Sequence, residues 1–119
     1  MPSRSHVRHA IRPRIYLRAE LALGPGKIDL LKAIAALGSI SAAARTMGMS
    51  YKRAWLLIDE INRGFGRPAV IASVGGARDG GAVLTPLGAQ LIERYGTLEK
   101  RVNAAAAKEL TALTALLRR

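Results

Sequence analysis

Cysteine is absent from this 119-residue chain. Its absence excludes disulfides, thiolate metal ligands and thiol nucleophiles. No hydrophobic run reaches the ~20 residues that a membrane-spanning helix needs. The basic N-terminus also lacks the apolar segment of a signal peptide. We therefore expect a cytoplasmic protein that has no membrane partner.

Acidic and aromatic side chains are scarce. Eight Asp and Glu residues stand against 19 Lys and Arg residues, which gives a net charge of +11. Such an excess favours polyanionic partners, because neutralising phosphates releases their condensed counterions. Charge alone leaves open specific DNA binding, general nucleic-acid binding and adhesion to an anionic membrane. With so few aromatic residues, a single core of Leu, Ile, Val and Ala is expected.

Metal and catalytic signals are weak. His6 and His9 have no cysteine or carboxylate nearby, so they are poor evidence for a metal site. Asp59 and Glu60 are neighbouring acids, but nothing places them with a nucleophile or a metal partner. We expect no metal, no cofactor, no catalytic residue and no enzymatic activity.

Residues 39–58 predict a helix-turn-helix. Ser39 or Ser41 can cap a first helix, Gly48 suits its left-handed end, and Ser50 can cap a second helix. On that second helix, one face at helical spacing is predicted to be buried: Ala54, Leu57, Ile58 and Ile61. The second helix of this motif lies in the DNA major groove. The alternative is an ordinary helical hairpin in another kind of core.

Basic and polar residues on and beyond the second helix are the candidate DNA contacts. Its first turn reaches base edges in this docking geometry, and Lys52 and Arg53 can contact phosphates or guanine. Trp55 is expected mainly to pack within the protein, because its large ring needs cover. The predicted DNA-binding set is Ser50, Tyr51, Lys52, Arg53, Arg63, Arg67 and Arg78. For Arg63 and Arg67 the alternative is a solvated surface charge.

The flanking segments complete a winged helix. Residues 14–21 alternate between apolar and polar and predict a half-buried strand, and residues 26–37 predict a helix. Short strands at 70–74 and 82–84 enclose a glycine-rich loop, which predicts a hairpin, or wing. A nucleotide-binding loop is the alternative, but its G-x-x-x-x-G-K-[ST] pattern is missing. The helix over residues 26–37 has an apolar stripe that is predicted to face the core: Leu30, Leu31, Ile34 and Leu37.

Thr85 and Pro86 form a strong helix start, and the helix can continue to about Leu117. The alanines at 104–107 either let a second helix approach closely or mark a soft point. The apolar residues of this helix recur at spacings of four and three and form a long stripe. A domain this small cannot bury the whole stripe. We therefore predict a dimerisation helix that pairs with a second copy through Leu91, Tyr95, Leu98 and Val102.

The predicted organisation has three parts. Residues 1–13 form a basic, flexible arm, which can follow phosphates or enter a minor groove, although a solvated tail is the favoured interpretation. Residues 14–85 form a mainly α, winged helix-turn-helix DNA-binding domain with a short β-wing. Residues 86–119 form the long C-terminal dimerisation helix.

Several blocks of residues resemble one family. The most specific are Ser50-Tyr51-Lys52-Arg53-Ala54-Trp55 and Gly80-Gly81-Ala82-Val83-Leu84-Thr85. Further blocks are Gly26-Lys27-Ile28-Asp29-Leu30-Leu31, Gly38-Ser39-Ile40-Ser41-x-Ala43-Ala44 and Leu91-Ile92-x-x-Tyr95. Together, over residues 14–103, they resemble the N-terminal DNA-binding domain of ModE, the molybdate-responsive transcription regulators, with a LysR-like helix-turn-helix.

The resemblance implies a winged-helix homodimer on a palindromic operator, with residues 50–53 as the reader and Arg78 at the wing tip. Family members continue into a molybdate-binding region of small β-barrels, which this sequence does not contain. We therefore expect a regulator of molybdate- or metal-related genes without a ligand domain of its own, and molybdate binding stays open. The alternatives are a general architectural nucleic-acid-binding protein and a protein-interaction module built on residues 86–119.

Overall fold

The computed structural model describes residues 10–72 and 81–118. A helix-turn-helix followed by a hairpin forms its centre, as the sequence predicts. The elements in order are β1 (Ile15–Arg18), β2 (Leu21–Leu23), α1 (Pro25–Leu37), α2 (Ile40–Thr46), α3 (Tyr51–Phe65), β3 (Val70–Ala72), β4 (Ala82–Leu84), α4 (Pro86–Ala105) and α5 (Ala107–Thr114).

The core lies between α1, α2, α3 and the start of α4. All four α3 positions predicted to face inward are buried, so the helical spacing identified that face correctly. Each fully buried Ile or Leu stabilises the fold by roughly 1.5–3 kcal/mol relative to exposure. On α1 the predicted stripe is buried except for Leu37, which is 48% exposed. Leu37 is in the last turn, directly before the left-handed Gly38 that ends the helix.

The two helices of the helix-turn-helix begin at the predicted caps. The Ser39 hydroxyl accepts from the Ala42 N–H at 3.1 Å, and the Ser50 hydroxyl accepts from the Arg53 N–H at 3.0 Å. Gly48 has a φ of +68°, a conformation that costs glycine little because it has no Cβ. These three residues fix the direction in which α3 leaves the turn.

The wing is an antiparallel pair of β3 and β4, in which Val70 lies opposite Leu84. Its base is joined to the rest of the fold by the Ala82 N–H, which donates to the Gly38 carbonyl at 3.1 Å. The helix α4 then starts directly against the wing. A Cβ on Gly88 would lie 2.4 Å from the Ala69 carbonyl oxygen, so this close approach requires glycine.

The predicted single strand over residues 14–21 is wrong. The chain turns at Ala19 and Glu20, and β1 and β2 pair antiparallel with Ile15 opposite Leu23. The alternating pattern therefore spans one strand, a turn and the start of another. All of β2 is buried, since it packs on α3 where Gly64 leaves room for Leu21.

The predicted continuous helix over residues 86–117 is also wrong. It is interrupted at Ala106, whose φ of −96° and ψ of 6° separate α4 from α5. Neither proline nor glycine forces this break. The alanines at 104–107 have no side chain large enough to hold a straight helix by packing, and no described residue of α5 is buried.

Part of the predicted flexible arm is folded against the domain. Arg12 donates two hydrogen bonds to the Asp29 carboxylate on α1, at 2.8 and 3.2 Å, and one to Glu99 on α4, at 3.2 Å. We call Arg12, Asp29 and Glu99 the Arg12 clamp. The hydrogen bonds from Arg12 to Asp29 raise the pKa of the guanidinium above its ordinary value, burial opposes this, and Glu99 adds to it. Residues 1–9 of the arm lie outside the described residues.

Backbone contacts reinforce the clamp. The Tyr95 hydroxyl donates to the Pro13 carbonyl at 2.6 Å, and the Asn103 side chain bonds both the N–H and the C=O of Ile11. Burial raises the pKa of the Tyr95 phenol above its ordinary value, and the Glu99 carboxylate adds to the shift. Residues 11–13 are therefore fixed along one side of α4, which the charge pattern of the arm did not indicate.

Candidate nucleic-acid interface

The helix α3 presents one continuous exposed face. Its buried face rests on the core, which leaves the opposite side uncovered by the described residues. We call this side the outer face of α3, and it comprises Tyr51, Lys52, Trp55, Leu56, Asp59 and Arg63, all of them exposed.

The first turn of α3 carries the predicted contacts. Ser50, Tyr51, Lys52 and Arg53 are all exposed. Among the described residues, neither Lys52 nor Arg53 has an acidic partner within salt-bridge distance. Two positive charges therefore stand uncompensated at the N-terminus of a helix, where the backbone N–H groups add partial positive charge. This turn can meet an anion without first breaking an internal ion pair.

Arg53 also lines a cavity of about 360 Å³ between α3, β2 and the start of α1. Arg14 and Lys27 lie on the same cavity wall as Glu60. The Lys27 ammonium is held internally, at 3.1 Å from Glu60 and 2.7 Å from the Ala22 carbonyl. Of these three cations, Lys27 is thus compensated, whereas Arg53 is exposed and has no described acidic partner within salt-bridge distance.

The remaining predicted DNA contacts have different settings. Arg63 is 2.9 Å from Asp59, one turn earlier on the same face, and both side chains are largely exposed. Arg67 is exposed just beyond the end of α3. Arg78 lies outside the described residues. Arg45, exposed in the last turn of α2, is a further cation that the sequence prediction left out.

Two apolar residues on the outer face were not among the predicted contacts. Leu56 is 48% exposed and Trp55 is 36% exposed, so the expected packing of Trp55 is only partial. The Trp55 ring meets the Tyr51 ring edge-on, with centroids 6.4 Å apart. Helical spacing places Leu56 opposite the core, one turn after Lys52, and Trp55 on the flank, one turn after Tyr51, but spacing alone does not mark either residue as a DNA contact.

The predicted dimerisation residues divide into two pairs. Leu91 and Tyr95 are buried in the domain's own core, at 8% and 2% exposure. Leu98 and Val102 are only half-buried and line a shallow, mainly apolar groove of about 600 Å³. The helix stripe is real, but its first half packs on this domain and only its second half faces outward. The remaining groove residues are Arg94, Thr97, Arg101 and Ala105.

Residues 10–72 and 81–118 show no feature of a metal site or of a membrane span. This part of the chain contains no group of three His, Cys, Asp or Glu side chains placed to hold a metal ion. None of its helices has both the length and the apolar character required to cross a membrane. His6 and His9 lie outside it.

Two relatives share close sequence similarity with this chain. The molybdenum-pterin-binding protein MopB of Rhodobacter capsulatus is 47% identical over 85 residues, which are 71% of this chain and 32% of MopB. The DNA-binding transcriptional dual regulator ModE of Escherichia coli is 45% identical over 82 residues, which are 69% of this chain and 31% of ModE. The chain thus spans about a third of the length of these relatives. No protein-family model matches it.

Solved structures show the same fold. The CbnR DNA-binding domain, solved in complex with DNA, has a TM-score of 0.58 at 17% identity, covering 74% of this chain and 95% of that domain. A LysR family transcriptional regulator has a TM-score of 0.56 at 19% identity, covering 78% of this chain and 30% of the regulator. The fold is therefore the winged helix-turn-helix of LysR-type DNA-binding domains.

Proposed function

Because this chain is a homologue of the ModE regulators over 69% of its length, we propose that it binds double-stranded DNA sequence-specifically as a transcription regulator. The observation that carries the proposal is the first turn of α3. Lys52 on the outer face and Arg53 beside it are exposed and have no acidic partner among the described residues, while the opposite face of the helix is anchored in the core. A reader helix requires that combination of a rigid base and available cations.

In the proposed complex, the first two turns of α3 enter the major groove. Lys52 and Arg53 contact guanine acceptors or phosphates. Ser50 and Tyr51 belong to the same first turn and enter the major groove to the same depth. Arg63 and Arg67, further along the chain, contact the phosphate backbone, and Arg78 contacts the DNA from the wing. Such a regulator acts in the cytoplasm, with the DNA that it binds.

We extend the proposal to a homodimer on a palindromic operator. Support comes from the apolar groove on α4, in which Leu98 and Val102 are the half-buried members of the predicted stripe. A second copy packed on this groove supplies the second α3 helix that a palindromic operator needs, and such operators place their half-sites one helical turn, about 34 Å, apart. Leu91 and Tyr95 support that interface from beneath, since they hold α4 on the domain.

The target genes proposed are those that handle molybdenum. This assignment rests on relatives whose names describe molybdenum-pterin binding, molybdenum transport and transcriptional regulation. Control by molybdate itself is a separate question, because the matched region is only about a third of those relatives.

Two binding measurements test the proposal. The chain is first used to select sites from a randomised duplex library, and fluorescence anisotropy then compares the selected site, a molybdate-transport promoter and scrambled DNA. We expect the selected site to bind at least about a thousandfold more tightly than scrambled DNA, with palindromic symmetry and a two-to-one stoichiometry. Repeating the titration with molybdate shows whether the oxyanion changes the affinity.

Equal affinity for all duplexes, lost at moderate salt, would instead identify a general architectural nucleic-acid-binding protein. A selected site without symmetry, bound by a single chain, would contradict the homodimer and leave specific DNA binding intact. Leu98→Glu tests whether the groove is the dimer contact. A carboxylate at this position opposes apolar packing, and residue 98 lies far from α3 in the sequence.

A further inference from the structure

We propose that Tyr51, Trp55 and Leu56 form an apolar patch on α3 that selects thymine through its C5-methyl group. The inference rests on the proposed DNA binding and deepens it, because it names a base that the helix recognises through apolar contact, in addition to the guanine or phosphate contacts of Lys52 and Arg53. None of the three was needed to explain the fold.

The patch has a defined geometry. Tyr51 and Trp55 are one helical turn apart and touch edge-on, with an interplanar angle of 78°. This contact limits the rotation of both rings. Leu56 follows Lys52 by one turn and lies near the centre of the outer face, on the side opposite the buried residues of α3. The aromatic pair and Leu56 thus present apolar surface on the same side of α3, with the Lys52 and Asp59 positions between them.

Each side chain of the patch keeps a substantial exposed surface, although Trp55 is also partly packed. Tyr51, Trp55 and Leu56 are 46%, 36% and 48% exposed. Within the described residues, none of them belongs to the hydrophobic core or to the partly buried side chains packed against it. Exposed apolar side chains are common on protein surfaces when single, but a group of three on the face of a reader helix indicates an interaction site.

Charge identifies DNA as the occupant. The patch is bordered by Lys52 and by the Arg63–Asp59 pair at 2.9 Å, all of them exposed, on a chain of net charge +11. This border suits a polyanion better than an apolar protein partner. In the major groove, the thymine methyl is the one apolar group by which a base pair is recognised, and apolar side chains contact it. When a neighbouring cation binds a phosphate, it holds α3 in the groove with the patch next to the bases.

The test removes only the methyl group. Starting from the site selected by the wild-type chain, each thymine in turn is replaced by deoxyuridine, which pairs identically and lacks the C5-methyl. Anisotropy titrations at constant salt then give the affinity for each duplex. At one or more thymines per half-site, we expect deoxyuridine to weaken binding about threefold to tenfold. Scrambled DNA carrying the same replacement should show no change.

Leu56→Ala and Trp55→Phe assign the effect to the patch. Leu56→Ala should abolish the deoxyuridine penalty at its thymine, because the side chain that contacts the methyl is gone. Trp55→Phe keeps an aromatic ring and should reduce the penalty at a neighbouring position. The matched control is Leu17→Ala on β1, since Leu17 is 49% exposed and lies outside α3. It should keep the full penalty, and circular dichroism verifies that all variants are folded.

The outcomes are distinct. If the wild-type chain selects no sequence, the proposed function itself fails. If it selects a sequence but tolerates deoxyuridine at every position, specific binding stands and methyl recognition is wrong. If Leu56→Ala and Trp55→Phe both keep the wild-type penalty at every thymine, another residue recognises the methyl, and the patch assignment is overturned. Loss of the penalty in the variants alone, with the Leu17→Ala control unchanged, supports the proposal.

Discussion

Arg12 and the cations of α3 have opposite surroundings, although all of them contribute to the same basic composition. The Arg12 side chain is 21% exposed and is bonded to two carboxylates from different helices. Lys52 and Arg53 are exposed and have no described acid within salt-bridge distance. The first is a structural cation, and the other two are available to a ligand.

The difference shows that net charge overstates a binding surface. Arg12 occurs in a segment without acids, where the sequence indicates a free basic arm. The fold brings Asp29 from 17 residues away and Glu99 from 87 residues away. A cation binds DNA only if the fold leaves it uncompensated, and that depends on long-range contacts. Variants that separate stability from affinity test this division directly.

The largest expected effect is that of Arg12→Ala on stability. The substitution leaves the Glu99 carboxylate, whose side chain is 10% exposed, without its cation, and it releases Asp29. Because an uncompensated buried charge is costly, we expect the free energy of unfolding in urea to fall by about 2–3 kcal/mol. The affinity of the folded fraction for DNA should stay within about twofold of wild type, since Arg12 is not assigned to the interface.

Arg12→Lys is the matched control for this prediction. It keeps the charge but cannot form the paired hydrogen bonds of a guanidinium, so it should recover only part of the lost stability. A variant Arg12→Ala that is fully stable but binds DNA weakly would show that Arg12 belongs to the interface after all.

Lys52→Ala should show the opposite result to Arg12→Ala: the affinity for DNA falls and the stability is kept. Lys52 is exposed and makes no described ion pair, so the free energy of unfolding should change by less than about 0.5 kcal/mol. The affinity for the selected site should fall by about 1–3 kcal/mol if Lys52 contacts guanine, and specificity should relax at one position. If Lys52 contacts phosphate, the loss is uniform across sequences and the salt slope falls by about one unit.

Lys108→Ala on α5 is the matched lysine for this measurement, since Lys108 is also exposed. It should leave both stability and the affinity for the selected site unchanged. An equal loss of affinity in the two variants would show that total charge, and not the α3 position, determines binding.

Tyr95→Phe probes the contact that holds residues 11–13 against α4. The variant loses the hydrogen bond to the Pro13 carbonyl, which is expected to cost about 1 kcal/mol in unfolding free energy. Burial raises the pKa of Tyr95 in the folded chain, so the protonated phenol is favoured by folding. Its stabilising contribution is complete below the unfolded pKa of about 10 and is lost as the pH rises through the folded pKa.

Urea unfolding between about pH 8 and pH 11 measures this difference. The wild-type chain should lose stability more steeply than Tyr95→Phe above about pH 10. Parallel pH profiles for the two proteins would mean that Tyr95 ionises equally well in the folded and unfolded chains, which its burial at 2% exposure argues against.

Local patterns predicted the helix-turn-helix and its caps, because those signals act within a few residues. Ser50 and Gly48 lie where capping and left-handed geometry require them. The errors concern contacts between distant segments. The burial of Arg12 and of Tyr95 depends on packing across the domain, and the break at Ala106 has no local proline or glycine signal. The predicted contacts on α3 include Lys52, Arg53 and Arg63, whereas Leu56 was left out of the contact set because an exposed leucine carries no charge signal.

The smallest expected effect is that of Asp59→Asn on the outer face of α3. Asp59 is paired with Arg63 at 2.9 Å, with both side chains more than half exposed. Such a surface pair stabilises a helix by only about 0.3–0.5 kcal/mol, so unfolding should change little. The substitution nearly preserves the shape but removes a negative charge and releases Arg63, so affinity for the selected site should rise about twofold to fivefold. Glu93→Gln, exposed on α4, should not raise it. A loss of affinity at one position would show instead that the Asp59 carboxylate accepts a hydrogen bond from cytosine, which would make an acid part of the recognition surface.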